Sequence, residues 1–128
     1  MKGMKHEIRN SKPLYDLEDR TLSFAKAVRF FVREIRKDIA NIEDSKQLVR
    51  SSGSVGANYI EANDSLSKKD FIMRAKISKK EAKESTYWLK LLFVSGSQEI
   101  ERANLLREAN ELVNIFGAII RNSEEKNK

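Results

Sequence analysis

A chain of 128 residues without cysteine is long enough for one hydrophobic core, too short to divide comfortably into two, and unable to form a disulfide framework or a thiolate metal site. No apolar run approaches the roughly 20 residues of a bilayer span, and the polar start Met1-Lys2-Gly3-Met4-Lys5-His6-Glu7 lacks the apolar centre of a secretory signal, so a soluble, cytoplasmic protein with no membrane partner is expected. With 25 Lys and Arg against 19 Asp and Glu, the net charge of +6 points to an acidic partner without specifying one.

Residues 1–13 read as a basic flexible arm, with Lys2, Lys5, Arg9 and Lys12 set against Glu7 and little that could be buried. Pro13 permits a helix to begin shortly after it, and Asp16, Glu18 and Asp19 suit the positive end of the helix dipole, which puts the first helix start near Tyr15. Leu17, Thr21, Phe24, Val28, Phe31 and Ile35 then recur at alternating spacings of four and three, one stripe along a helix and incompatible with a strand. Arg36 and Lys37 are expected to close this helix near Asp38.

A polar connection through Asn41, Glu43 and Asp44 leads to the second helix, whose apolar and small face is Leu48, Val49, Ser52, Val55, Gly56 and Tyr59 and which runs to about Asn63. Its central stretch, Arg50 to Ala62, lacks proline but holds Gly53 and Gly56. A glycine costs roughly 1 kcal/mol against alanine inside a helix, so two of them three residues apart predict the close approach of a neighbouring backbone. At about 100° per residue, Arg50, Ser54, Asn58 and Glu61 fall together on the opposite face, a polar stripe that is either solvated or meets a partner.

Ser67 followed by Asp70 has the form of a capping box, which starts the third helix at Lys68. Phe71, Ala75, Ser78, Ala82, Ser85, Leu89 and Leu92 keep the four-three alternation throughout, with small residues in the middle where Gly53 and Gly56 would want a close neighbour. The second and third helices are therefore expected to touch at those glycines, and Gly56→Leu to overpack that contact. Ser95-Gly96-Ser97 supplies a stop and a new cap, after which Leu105, Ala109, Leu112, Phe116 and Ile119, flanked by Leu106, Val113 and Ile120, define the fourth helix. The bundle is expected over residues 14–122, with 123–128 as a frayed tail. Four amphipathic helices with short connections predict an all-α, antiparallel up-down-up-down four-helix bundle.

Three segments, Arg50-Ser-Ser-Gly-Ser-Val-Gly-Ala-Asn-Tyr-Ile-Glu-Ala62, Ser67-Lys-Lys-Asp-Phe71 and Lys80-Glu-Ala-Lys-Glu-Ser-Thr-Tyr-Trp-Leu-Lys-Leu-Leu92, stand in this order along the chain. Together they resemble the bacterial four-helix bundle proteins encoded in intervening sequences of 23S ribosomal RNA genes, a family sometimes called ribosomal. The resemblance runs from about Tyr15 to Asn122. It implies a bundle that assembles into a ring-like homopentamer, a likeness to the accessory proteins of diversity-generating retroelements, which contact nucleic acid and a reverse transcriptase, and no established enzymatic activity. Many relatives have Gly-Thr or Ala-Ala where Ser52-Gly53 stands here, a departure that bears on where the helix contact is tightest.

The residues themselves argue against catalysis. Di-metal sites in bundles use Glu-x-x-His pairs aimed inward, but the only histidine is His6 in the arm, and Glu81 and Glu84 lie off the core stripe. Helical nucleases with an Arg and a nearby His on one helix are excluded on the same ground. There is no glycine-rich phosphate loop ending in Lys-Ser or Lys-Thr and no Ser-His or Cys-His pairing, so neither an enzyme nor a cofactor is expected.

Basic surface is the stronger signal. Lys69, Lys76, Lys79, Lys80, Lys83 and Lys90 share one arc of the third helix, away from the core stripe, and that helix concentrates +5, eight basic residues less Asp70, Glu81 and Glu84. Arg29 and Arg33 stand on the outward face of the first helix. These residues are the candidate contacts to RNA or DNA, against the plainer reading of a solvated helix back. Met73, Ile77, Trp88 and Leu91 occupy a third arc, and with Arg50, Ser54, Asn58 and Glu61 they are the candidate oligomer interface or docking face for a protein partner, against a core edge broader than usual.

Overall fold

The structure, a computed structural model, describes residues 13–126. Residues 1–12 of the expected basic arm, His6 included, and the last two residues of the chain lie outside the described residues, while Pro13 is the first residue of a helix that begins two residues before Tyr15. Four α-helices follow one another: α1 (Pro13–Arg33), α2 (Ile39–Asn63), α3 (Lys68–Leu91) and α4 (Ser97–Lys126). No strand occurs among the described residues.

The four-three stripes fall where they were expected. Leu17, Phe24, Val28, Phe31, Leu48, Val55, Ala82, Leu89, Ala109, Leu112 and Phe116 form one buried cluster, with the Tyr59 ring set edge-on to Phe116 at 5.5 Å and 71°. Burial of each large apolar side chain contributes on the order of 1.5–3 kcal/mol. It also pushes the Tyr59 phenol above its ordinary pKa, because a phenolate would be poorly solvated there. A smaller cluster of Ile72, Ala75 and Ile120 closes the end of the bundle where α3 begins.

Each helix packs along its neighbours in the chain and α4 returns to pack along α1. The backbones of the diagonal pairs α1–α3 and α2–α4 do not come close, although Tyr59 of α2 meets Phe116 of α4 across the core. Cross-contacts show that consecutive helices are antiparallel. Asn63 Nδ2 donates to Glu18 Oε2 at 2.8 Å while Arg29 reaches Val49 O. Ser51 and Ser85 share a 2.8 Å hydrogen bond while Arg74 Nη1 donates to Asn58. Arg102 donates to the carbonyls of Leu89 and Leu92 at one end of the α3–α4 pair, and Lys76 meets Glu124 at 3.3 Å near the other.

Several boundaries differ from the sequence reading, each for a physical reason. Helix α1 stops at Arg33, short of Asp38, because Asp38 is the N-cap of α2: it is extended (φ −119°) and its side chain accepts from Asn41 N at 2.8 Å. Ile35 extends the apolar stripe and is buried, but it packs from the turn. Lys37, beyond the helix end, donates to Arg33 O and Ile35 O, satisfying carbonyls that the helix leaves open.

Asn41, Glu43 and Asp44 belong to the first turns of α2 and not to a connection. Asn41 is 2% exposed: its Nδ2 donates to the carbonyls of Arg36 and Phe93, its Oδ1 accepts from Phe93 N, all at 2.9 Å, and so it ties the α1–α2 and α3–α4 connections together. Helix α3 starts at Lys68 with Ser67 Oγ accepting from Asp70 N, as its capping signal indicates, but it ends at Leu91, before Ser95. Gly96, at φ +62°, makes the turn into α4. Helix α4 continues through Ser123, Glu124 and Glu125 to Lys126, past the Asn122 boundary.

Gly53 and Gly56 do not face α3. A methyl group on Gly56 would lie 2.8 Å from Thr21 Oγ1 and 3.1 Å from Thr21 Cβ, and one on Gly53 would lie 3.2 Å from an Arg29 guanidinium nitrogen; both neighbours are on α1. The close α2–α3 approach is made instead by Ser51, Ser78 and Ser85, where Ser78 Oγ donates to Val55 O at 2.9 Å.

Candidate nucleic-acid interface

The net charge of α3 is gathered on one side by what happens to its carboxylates. Arg50 crosses from α2 and donates to both Glu81 (3.4 Å) and Glu84 (3.2 Å), and Glu81, although off the core stripe of α3, is buried in that seam. Asp70 sits in the first turn, against the positive end of the helix dipole. The other charged residues of α3 are lysines and Arg74. Lys69, Lys76, Lys80, Lys83 and Lys90 are exposed and Lys79 is half-buried. Among the described residues only Lys76 has a carboxylate partner, Glu124 on α4.

The arginines proposed to share this face do not join it. Arg29 is half-buried in the α1–α2 seam, where it donates to Ala25 O (3.0 Å) and Val49 O (3.4 Å). Arg33 is exposed, with its guanidinium 5.0 Å from the centre of the Phe30 ring. Both belong to α1, which stands diagonally across the bundle from α3, so the lysines and these arginines form two separate surfaces.

The opposite charge is gathered on the α1–α4 side. Arg20 forks onto Glu108 (2.7 and 2.9 Å) and also reaches Glu111 at 2.5 Å, and the hydrogen bonds to these carboxylates hold its guanidinium more firmly protonated than usual. A phosphate chain would find the α3 face open and this one shielded by carboxylate.

The candidate interface residues are also divided. Arg50 and Asn58 are engaged with Glu81, Glu84 and Arg74 across the α2–α3 seam, Ser54 is half-buried and Glu61 is exposed. Met73 and Leu91 are 45% and 48% exposed, Ile77 is half-buried, and Trp88 packs against the main core with its indole N–H buried and unpaired among the described residues. Trp88 thus joins the core edge, while Met73 and Leu91 remain at the surface. At the end of the bundle tied by Asn41, Ile39 and Phe93 are exposed as well.

Sequence reasoning missed Arg121 and Gly117, which lie beside the lysines. Arg121 and Lys79 both reach over Gly117, in the interior of α4. Asn110, Asn114, Gly117 and Arg121 recur at spacings of four, three and four, a polar stripe on α4 that the same angular plot would have found.

No group of His, Cys, Asp and Glu able to hold a metal occurs among the described residues, and no described helix is long and apolar enough to cross a membrane. Comparison with known proteins adds a family. No curated protein matches the chain. A crystal structure of a protein with unknown function from the S23 ribosomal protein family, from Bacteroides thetaiotaomicron, shares 32% identity with it, covers 80% of this chain and 96% of its own, and superposes with a TM-score of 0.66. Residues 16–118 match the family described as 23S rRNA-intervening sequence protein, and with helices, order and relative in agreement, the chain belongs to that family.

Proposed function

We propose that this protein is a non-enzymatic, cytoplasmic, homo-oligomeric nucleic-acid-binding protein whose basic α3 face holds the phosphates of RNA or DNA. The observation that carries this reading is the pairing of Glu81 and Glu84 with Arg50, which leaves Lys69, Lys79, Lys80, Lys83 and Lys90 without a carboxylate partner among the described residues. Lysines that act by displacing counterions bind any sequence and lose affinity as salt rises. A ring of five copies, the assembly that the family resemblance implies, would repeat the face and favour long polymers through multivalency. Met73, Leu91, Ile39 and Phe93, exposed apolar residues off the lysine arc, supply surface for contacts between copies. They equally favour the second reading, an oligomeric scaffold that recruits a protein partner while its lysines are merely solvated.

A gel-shift series over salt with large-subunit ribosomal RNA and matched duplex DNA, run beside sedimentation of the same samples, tests both parts. Reversal of Lys76, Lys79 and Lys83 to Glu should weaken binding by at least about a hundredfold and flatten the salt dependence. Exposed substitutions such as those at Lys76 and Lys83 alter stability by no more than about 0.5 kcal/mol, and a helical spectrum recorded on the triple variant checks the half-buried Lys79. Equal binding by the triple variant, or affinity independent of salt, rejects the phosphate reading and leaves the scaffold. A monomer at micromolar concentration rejects the ring.

A further inference from the structure

Gly117 is a glycine without a packing reason. At Gly56 the added methyl group would strike the Cβ of Thr21 on the neighbouring helix. At Gly117 the nearest atoms are the ends of two flexible side chains: the methyl group would lie 3.3 Å from Arg121 Nη1, 3.7 Å from Lys79 Nζ and 3.9 Å from Lys79 Cε. An interior helix position is given to a residue that weakens helices, and the space over it is filled by two cations. Neither cation has a carboxylate partner among the described residues. Like charges brought together in this way repel, and the repulsion is relieved when an anion enters between them.

The surroundings extend this point into a track. Lys76, Lys79 and Lys83 are spaced by three and four along α3, and Asn110, Asn114, Gly117 and Arg121 by four, three and four along α4. The helices are antiparallel and Lys79 is level with Gly117, so Lys83 comes level with Asn114 one turn further on. Asn110 and Asn114 are exposed, and neither makes a side-chain hydrogen bond among the described residues. Lys76 pairs with Glu124, which closes the track at one end.

From this geometry we infer that the groove between α3 and α4 is a phosphodiester-binding track, with Lys79 and Arg121 clamping one phosphate over Gly117. The inference rests on the nucleic-acid reading above and deepens it: it moves the centre of the site from the outward back of α3 to its border with α4, and it adds Arg121, Asn114 and Asn110 to the lysines. Arg121 presents a fork of donors to phosphate oxygens, Lys79 a point charge, and the absent Gly117 side chain lets both sit close to the helix surface.

Fluorescence anisotropy with labelled 20-nucleotide RNA and DNA strands tests the assignment, the two strands distinguishing which polymer supplies the phosphodiester. Arg121→Ala should bind about tenfold more weakly and lose about one ion from the log–log salt slope. Lys26→Ala, which removes the same charge from the exposed face of α1, should stay within about twofold of the unaltered protein, since its effect is only long-range and screened. Circular dichroism should show both variants fully helical, as expected for exposed residues. If Arg121→Ala binds like Lys26→Ala while reversal of Lys76, Lys79 and Lys83 still abolishes binding, the groove is overturned and the basic face of α3 stands. If the unaltered protein binds neither strand, both fall.

Discussion

Helix α2 carries small residues on two sides, and the two sides do different work. Toward α3, Ser51 shares a 2.8 Å hydrogen bond with Ser85 and the Val55 carbonyl accepts from Ser78 Oγ at 2.9 Å, and Arg50 extends the seam outward by holding Glu81 and Glu84. Toward α1, Gly53 and Gly56 make room for Arg29 and Thr21 without offering a hydrogen-bonding side chain. The first seam is a polar zipper in which each of these three serines is bonded. The second is a steric fit. Close approach of two helices can therefore come from serines that satisfy one another or from glycines that yield space, and the presence of small residues does not reveal which neighbour they serve.

The largest expected effect comes from breaking the steric side. Gly56→Leu puts side-chain carbon where Thr21 Oγ1 and Cβ stand, with the Thr21 backbone 3.7 Å from the first added atom, so relief requires movement of α1 itself. Overpacking of this kind should destabilise by on the order of 3 kcal/mol, read from urea unfolding. The partner is tested separately by a double-mutant cycle. Thr21→Ala should recover part of the loss, whereas Ala82→Gly on α3 should recover none; recovery by Ala82→Gly alone would show that Gly56 meets α3 after all.

That contrast also marks how much could be read from the chain. The helices and their inward stripes were legible because burial repeats every three to four residues: Leu17 to Ile35 obey that repeat throughout, and on α3 Ala75, Ser78, Ala82, Ser85, Leu89 and Leu92 do, while Phe71 is only partly buried beside the buried Ile72. Family membership was legible from three ordered segments. Direction was not: the helical angle put Val55 and Gly56 together on the inward face, but it does not say which neighbouring helix each of them meets. Ile35 misled the end of α1, since a residue can stay buried after its backbone has left the helix. The burial of Glu81 could not be read from its place off the core stripe, because the Arg50 that draws it in belongs to another helix. Arg121 was overlooked at the edge of a tail expected to fray, although α4 runs on to Lys126.

A smaller effect is expected from breaking the polar side. Arg50→Ala removes a side chain that is half exposed but leaves Glu81, only 12% exposed, without its cation in the seam. Solvent screens the pair at the Arg50 end, so the loss should be about 1 kcal/mol, well below that of Gly56→Leu. Replacing Glu81 by Gln in the same background should return most of it, because the unpaired charge disappears and a neutral amide tolerates the site. If Arg50→Ala alone leaves the unfolding midpoint unmoved, the ion pairs add nothing to the zipper and the serines hold the seam.

The smallest effect should come from Gly53→Ala, and it sharpens the comparison because the residue type, the helix and the neighbouring helix are the same as for Gly56. Here the added carbon meets the end of a flexible side chain, an Arg29 guanidinium nitrogen at 3.2 Å, and not a Cβ or a backbone atom. The guanidinium can swing away, at the cost of its 3.4 Å hydrogen bond to Val49 O while the 3.0 Å bond to Ala25 O is kept. Against that stands the gain in helix propensity, up to roughly 1 kcal/mol. The two nearly cancel, and the unfolding free energy should move by no more than about 0.5 kcal/mol. A loss of several kcal/mol would mean that α1 and α2 are locked together at Arg29 as tightly as at Thr21, and that the α1–α2 seam is uniformly close; a near-neutral result places its closest point at Thr21 and Gly56, with Arg29 a yielding lid over the rest.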